Sequence, residues 1–243
     1  MYQGIESQGF PVGEIAGIRI RVHWLLPVFW LFQLNSYLPL QESDSERRIL
    51  LLWWAQGLVV LFGSILLHEL GHAFAARRVG GSCDEVVLWP LGGLALCQAP
   101  NHWRAQLLVA AGGPAVNVVL AVIGYAGTTV VSSGAGLPLG PAWVLHQILP
   151  DLLRWNVVLL VLNLVPLYPL DGGRIFLNAT WGILQSRGVF EAYGRAVRAA
   201  VWAARVSGVG GILYGLQTGN TLLLLMFAWF WYTAEQLQRD RGF

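Results

Sequence analysis

Leu58-Val59-Val60-Leu61-Phe62-Gly63-Ser64-Ile65-Leu66-Leu67-His68-Glu69-Leu70-Gly71-His72 decides the reading of this chain. No charge interrupts Leu58 to Leu67, and then three titratable side chains arrive within one helical turn and a half. Positions i and i+4 share a helix face, so the imidazoles of His68 and His72 stand side by side at a separation that suits a metal ion. Glu69 is adjacent and can reach a water at that metal. The His-Glu-x-x-His pattern alone is short enough to arise by chance. Its setting carries more weight, because ionisable groups in an apolar segment are costly and mark function by default.

The rest of the chain continues the apolar theme. Hydrophobic residues make up 56% of the 243 and charged residues 12%, where a soluble domain carries about a quarter charged. The 12 Trp and 7 Tyr suit a chain that crosses two membrane–water interfaces. Net charge is +2, and all 15 basic residues are Arg. None forms a run dense enough for nucleic acid. The polar, Gly-rich stretch Met1 to Arg21 has no hydrophobic signal region. A single membrane domain over 1–243, with its core at about 15–235, is expected.

Apolar stretches run from about Val22 to Leu40, Ile49 to Ala76, Gln106 to Val131, Leu152 to Pro166, Val197 to Gln217 and Thr221 to Ala234. These predict an α-helical integral membrane protein with about six transmembrane helices. The fifth contains Arg205, and the sixth can extend through Glu235. Arg placement favours both termini on the cytoplasmic side by the positive-inside rule. Arg19, Arg21, Arg77, Arg78, Arg104, Arg174, Arg187, Arg195, Arg198, Arg239 and Arg241 then fall inside. Arg47, Arg48 and Arg154 fall outside, as does the uncharged 132–150 loop. The site would lie near the cytoplasmic face of a cell (inner) membrane.

A zinc site needs a third protein ligand and an open position. Asp171, in Asn163-Leu164-Val165-Pro166-Leu167-Tyr168-Pro169-Leu170-Asp171-Gly172-Gly173, is the leading candidate. Pro166 should end the fourth helix, and irregular backbone at membrane depth occurs only where protein or trapped water satisfies it. On spacing alone Asp171 would more readily be a helix cap at the membrane edge. Gly112-Gly113-Pro114 is expected to break the third helix, leaving Asn117 among apolar residues, as Asn163 is in the fourth. Each Asn could be an interhelical contact or could hold a substrate carbonyl or developing oxyanion. Val86 to Leu96 reads as a β-hairpin at the membrane edge, turning at Pro90 to Gly93. Its edge could pair with the backbone of an unwound substrate. Cys83 and Cys97 flank it and are expected to be thiols in a cytoplasmic setting.

His68-Glu69-Leu70-Gly71-His72, Gly112-Gly113-Pro114-x-x-Asn117 and Asn163-x-x-Pro166-x-x-Pro169-Leu170-Asp171-Gly172 together resemble the three signatures of the site-2 proteases. These are intramembrane zinc metalloproteases of regulated intramembrane proteolysis. The motifs occur in the family's order, with a hairpin between the first two. The resemblance implies one zinc ion per chain held by His68, His72 and Asp171, with Glu69 catalytic. It also implies active-site roles for Asn117 and Asn163, and broken helices around the metal. Many members carry a PDZ domain or paired CBS domains, for which this sequence has no room, so a compact form is expected.

The implied reaction is hydrolysis of a peptide bond in or near a transmembrane segment of a membrane-protein substrate. Glu69 would take a proton from water and pass it to the leaving amine. A metal transporter could also use intramembrane His and Asp, but it has no use for a Glu beside the chelating His. A catalytically silent chaperone would not need every one of these groups. A zinc protease acting on soluble or membrane-edge peptides is the nearest alternative.

Overall fold

The computed structural model describes residues 9–37, 43–90, 92–133 and 139–239. Strands β1 (Gly9–Ile15) and β2 (Ile18–His23) lead into helices α1 (Leu25–Tyr37) and α2 (Asp44–Arg78). Strands β3 (Ser82–Trp89) and β4 (Gly92–Gln98) follow. Helices α3 (Trp103–Ser132), α4 (Leu139–Leu164), α5 (Asp171–Ser186), α6 (Ala192–Thr218) and α7 (Thr221–Arg239) complete the chain.

Helix α2 carries the histidines and is closed at both ends by local chemistry. Ser43 caps its N-terminus in a reciprocal bond with Glu46, and Arg77 and Arg78 occupy its last turn, where cations oppose the helix dipole. Just beyond the end, Gly80 takes a positive φ of 82° that a side chain would resist. Its 35 residues extend roughly 52 Å at 1.5 Å each, beyond the ~30 Å of a hydrocarbon core. Helix α2 crosses α3 where two glycines meet. A Cβ on Gly71 would stand 2.5 Å from the Gly112 carbonyl oxygen, and one on Gly112 equally close to the Gly71 carbonyl. Small residues at such crossings let two backbones touch, and this contact brings the histidine face of α2 against α3.

Four described helices are long and apolar enough to cross a membrane: α2, α3, residues 145–164 of α4, and α6. The expected first and sixth spans correspond to α1 and α7. Helix α1 has 13 residues, and α7 turns polar from Glu235 onward. Arg205, the cation inside α6, makes a two-pronged bond to Glu235 of α7 at 2.6 and 2.9 Å and lies over the Trp202 ring. The pair ties α6 to α7 and answers the charge in the fifth apolar stretch.

The expected hairpin is present as β3–β4, and it belongs to a larger sheet in the order β1-β2-β3-β4. Strands β2 and β3 pair in parallel, with Arg19 opposite Glu85 and Val22 opposite Leu88. Strand β3 is therefore central, which is why Val86 and Val87 are fully buried, and β4 is an outer strand. Ile18, Ile20, Val86 and Leu88 pack with Ile65, Leu70 and Ala73 of α2, so the sheet rests on the histidine-bearing half of that helix. Arg77 fastens this corner by donating to the carbonyls of Ala16, Gly17 and Cys83.

Three expectations are corrected. Gly112-Gly113-Pro114 does not break the third helix: α3 runs through Pro114 without interruption. Pro114 removes one amide donor, a loss that packed neighbours tolerate in membrane helices. Cys83 and Cys97, expected to be thiols, form a disulfide. They are directly opposed across β3 and β4, with Cα atoms 4.1 Å apart. The expected 132–150 loop is also shorter than its span: residues 134–138 lie outside the described residues, and from Leu139 onward the chain is already helical, forming the first part of α4.

Candidate metal centre

Asp171 reaches the histidines because α4 ends at Leu164 and the chain turns sharply before α5. The turn is dense enough that a Cβ on Gly172 or Gly173 would collide with the backbone of Leu164, Val165 or Tyr168. Leu167, fully buried, anchors it against Ala204, Phe227 and Phe230. Asp171 is then the first residue of α5, with its side chain turned inward and 8% exposed.

Three atoms converge. Nε2 of His68 lies 3.0 Å and Nε2 of His72 3.2 Å from Oδ2 of Asp171, and the two Nε2 atoms are 3.1 Å apart. The opposite ring nitrogens are engaged elsewhere. Nδ1 of His68 contacts Oδ1 of Asn117. Nδ1 of His72 lies 2.7 Å from the Val109 carbonyl and 3.3 Å from the Gly113 amide. A carbonyl only accepts, and it is the nearer group, so Nδ1 of His72 carries the proton. Both neutral rings then turn an Nε2 lone pair towards a carboxylate oxygen.

Such an array needs positive charge at its centre, as a shared proton or a metal ion. The spacing fits zinc. Ligands about 2.0–2.1 Å from a tetrahedral zinc lie about 3.3 Å from one another, close to the distances observed here. Two imidazoles and a carboxylate are also a zinc-type donor set. These residues form a group that can hold one metal ion. Gly113 leaves the space open, since a Cβ there would fall against both Nε2 atoms, 2.6 Å from that of His68.

Glu69 stands beside this group and is not part of it. Its Oε2 accepts from the Ala95 amide of β4 at 2.9 Å, and Gly93 passes so close that a Cβ there would collide with the Glu69 side chain. The acid and all three metal-facing residues line one cavity of about 270 Å³, which also takes in Asn163 and, from α7, Phe230. The two asparagines of the sequence reading therefore separate. Asn163 lines the cavity, whereas Asn117 is fully buried and bonds His68 on one side and Asn156 on the other. The sequence reading missed Asn156 and Ser64, the buried partners behind Asn117, although each is a polar residue in an apolar helix. It also missed the Ala95 amide, which no side-chain pattern could reveal.

A buried metal-binding group with an acid alongside, inside a bundle of membrane-length helices, defines the class: an integral membrane protein with a metallopeptidase-type centre. Residues 56–148 match the model of Peptidase family M50. The chain is 31% identical to Rip3 of Mycobacterium tuberculosis over 95% of its own length and 58% of that protein's. It is 28% identical to the zinc metalloprotease MJ0392 of Methanocaldococcus jannaschii over 93% of its own length and 59% of that protein's. The chain thus spans just under three fifths of these relatives. Among solved structures it resembles the site-2 protease from Methanocaldococcus jannaschii, with a TM-score of 0.59, 25% identity and 95% of each chain covered. Residues 56–148 thus carry the family M50 match, and the chain as a whole is similar to the site-2 proteases.

Proposed function

We propose that this chain is an intramembrane zinc metalloprotease, a single membrane-embedded domain over 1–243. It hydrolyses a peptide bond in or near a transmembrane segment of a membrane-protein substrate, as in regulated intramembrane proteolysis. The observation that carries this reading is the convergence of His68, His72 and Asp171 beside Glu69 on one buried cavity. In this reading His68, His72 and Asp171 hold one zinc ion. Zinc, when bound, supplies a Lewis acid that activates water and polarises the scissile carbonyl.

The chain's own residues do the rest. Glu69 takes a proton from the attacking water as the C–O bond forms and returns it to the amide nitrogen as the C–N bond breaks. The Ala95 amide holds one carboxylate oxygen in place. In this reading Asn163, half-buried on the cavity wall, donates to the oxygen that gains charge. Asn117 orients His68 from behind. The substrate helix must unwind locally, because its peptide bonds are otherwise shielded by their own hydrogen bonds.

The test is cleavage of a membrane-tethered reporter by the full chain in liposomes. Cleavage should be lost on chelation and restored by zinc. In Asp171→Ala both zinc affinity and cleavage should fall at least tenfold. Full zinc occupancy and full activity in that variant would sink the assignment. Hydrolysis of soluble peptides in preference to the tethered reporter would favour the membrane-edge alternative.

A further inference from the structure

Behind the metal-facing residues lies a second, wholly buried line of polar groups that joins three helices. Nδ2 of Asn117 on α3 donates to Oδ1 of Asn156 on α4 at 2.8 Å. Nδ2 of Asn156 donates to the Leu152 carbonyl at 2.8 Å and to Oγ of Ser64 on α2 at 2.9 Å. Asn117 and Asn156 are fully buried and Ser64 is 2% exposed. Asn156 belongs to none of the three family signatures.

The direction of this chain is fixed from one end. Amide oxygen and nitrogen are told apart by the partners they face. The Leu152 carbonyl can only accept, so Asn156 must present its nitrogen there and its oxygen to Asn117. Asn117 must then give its nitrogen to Asn156 and its oxygen to His68. An oxygen facing Nδ1 of His68 requires the proton on Nδ1 and leaves the lone pair on Nε2, the atom turned towards Asp171. The opposite tautomer would put a proton where a metal must bind.

From this we infer that Asn156 is a positioning residue that sets the tautomer of His68 through Asn117, with Ser64 holding Asn156 from α2. The inference rests on the reading of His68 as a zinc ligand. Replacing Asn156 by Leu removes the acceptor that orients Asn117. The Asn117 amide is then free to turn, and its nitrogen can demand a lone pair on Nδ1, driving the proton to Nε2. Replacing Asn156 by Asp keeps an oxygen facing Asn117. When protonated, that Asp also keeps a donor for the Leu152 carbonyl.

The experiment measures zinc affinity by chelator competition on the full chain in detergent micelles, beside thermal unfolding. Outer partners of metal-bound His carry about 10–100-fold in metal affinity. Asn156→Leu is therefore expected to bind zinc at least tenfold more weakly than wild type, and Asn156→Asp to recover most of the loss. Equal affinity in Asn156→Leu and wild type would overturn the inference, as would equal loss in the Leu and Asp variants. NMR of the ¹⁵N-histidine-labelled wild type, metal-free and well above the imidazole titration range, reads the tautomer without relying on either variant. A proton on Nδ1 of His68 supports the inference and a proton on Nε2 overturns it. Zinc binding absent from the wild type would instead remove the metal-site reading.

Discussion

The backbone amide of Ala95 donates to Oε2 of Glu69 at 2.9 Å, and this one bond joins the strand edge to the acid of the candidate centre. It arises because β4 is an outer strand whose next neighbour is helix α2. In the alternation of an antiparallel pair, every second residue turns its amide away from the partner strand, and Ala95 turns its own towards Glu69. Gly93, two residues earlier, permits the approach by lacking a side chain. The carboxylate is thus held beside the metal-facing residues.

Glu69→Gln should therefore separate chemistry from metal binding. An amide can still accept from Ala95 through its oxygen but cannot take a proton from water. Cleavage should fall by at least about 100-fold, the lower end of a general-base contribution, while zinc stays near one per chain. If Glu69→Gln loses zinc as readily as His68→Ala, Glu69 is a ligand and its proposed role is wrong.

Gly113→Ala tests the space between the ligands. The added Cβ would fall against both Nε2 atoms, so zinc affinity should drop at least tenfold. The rings are side-chain ends that can swing aside, and Ala favours a helix over Gly by about 1 kcal/mol, so metal-free thermal stability should fall less than in Gly71→Ala. There the added Cβ meets the Gly112 backbone carbonyl, which cannot move aside, so thermal stability should fall by about 1–3 kcal/mol. Normal zinc binding in Gly113→Ala would mean that the metal does not sit between His68 and His72.

Membrane orientation can be read by labelling single cysteines in intact cells. Ser133 is exposed at the end of α3 and Arg187 just beyond the end of α5. With both termini cytoplasmic, a non-permeant thiol reagent outside should modify Ser133→Cys and spare Arg187→Cys. The reverse pattern would place the candidate centre near the opposite face.

Much of the centre could be read before the fold was known, for identifiable reasons. His68 and His72 stand out because helical periodicity alone puts them together, and Asp171 because Pro and Gly around it exclude a continuous helix. Helix α4 indeed stops at Leu164. The unread features depend on tertiary contact. Strand β1 comes from a Gly-containing stretch with no clean alternation; β2 does alternate (Ile18-Arg19-Ile20-Arg21-Val22) but is short, and its partner β3 lies more than sixty positions later in parallel register. Helix α5 contains in its first turn the pair Gly172-Gly173, whose role is close packing, with no need for positive φ. Pro114 looks like a breaker until the packing of α3 is known. Asn156 carried the same warning as Asn117, a polar amide in an apolar helix, but its importance lies in which partners it faces.

The sheet order decides which arm of the hairpin can meet a substrate. A substrate unwound in the bilayer exposes amides and carbonyls that cost several kcal/mol each when unpaired, and an outer strand beside the centre could satisfy them. Strand β3 cannot serve, because Val87 is flanked by Arg21 on β2 and Leu94 on β4. Proline has no amide to give to a ladder, so Val87→Pro should disrupt the sheet and lower thermal stability by about 3 kcal/mol or more. Ala95 turns its amide away from β3 to Glu69, so Ala95→Pro should leave the β3–β4 ladder, thermal stability and zinc content near wild type. Cleavage of the tethered reporter should nevertheless fall at least tenfold, because Glu69 loses its donor and the outer edge of β4 is altered. Wild-type cleavage by Ala95→Pro would mean that neither the Glu69 contact nor this edge matters to turnover, and substrate pairing would have to be sought on another element.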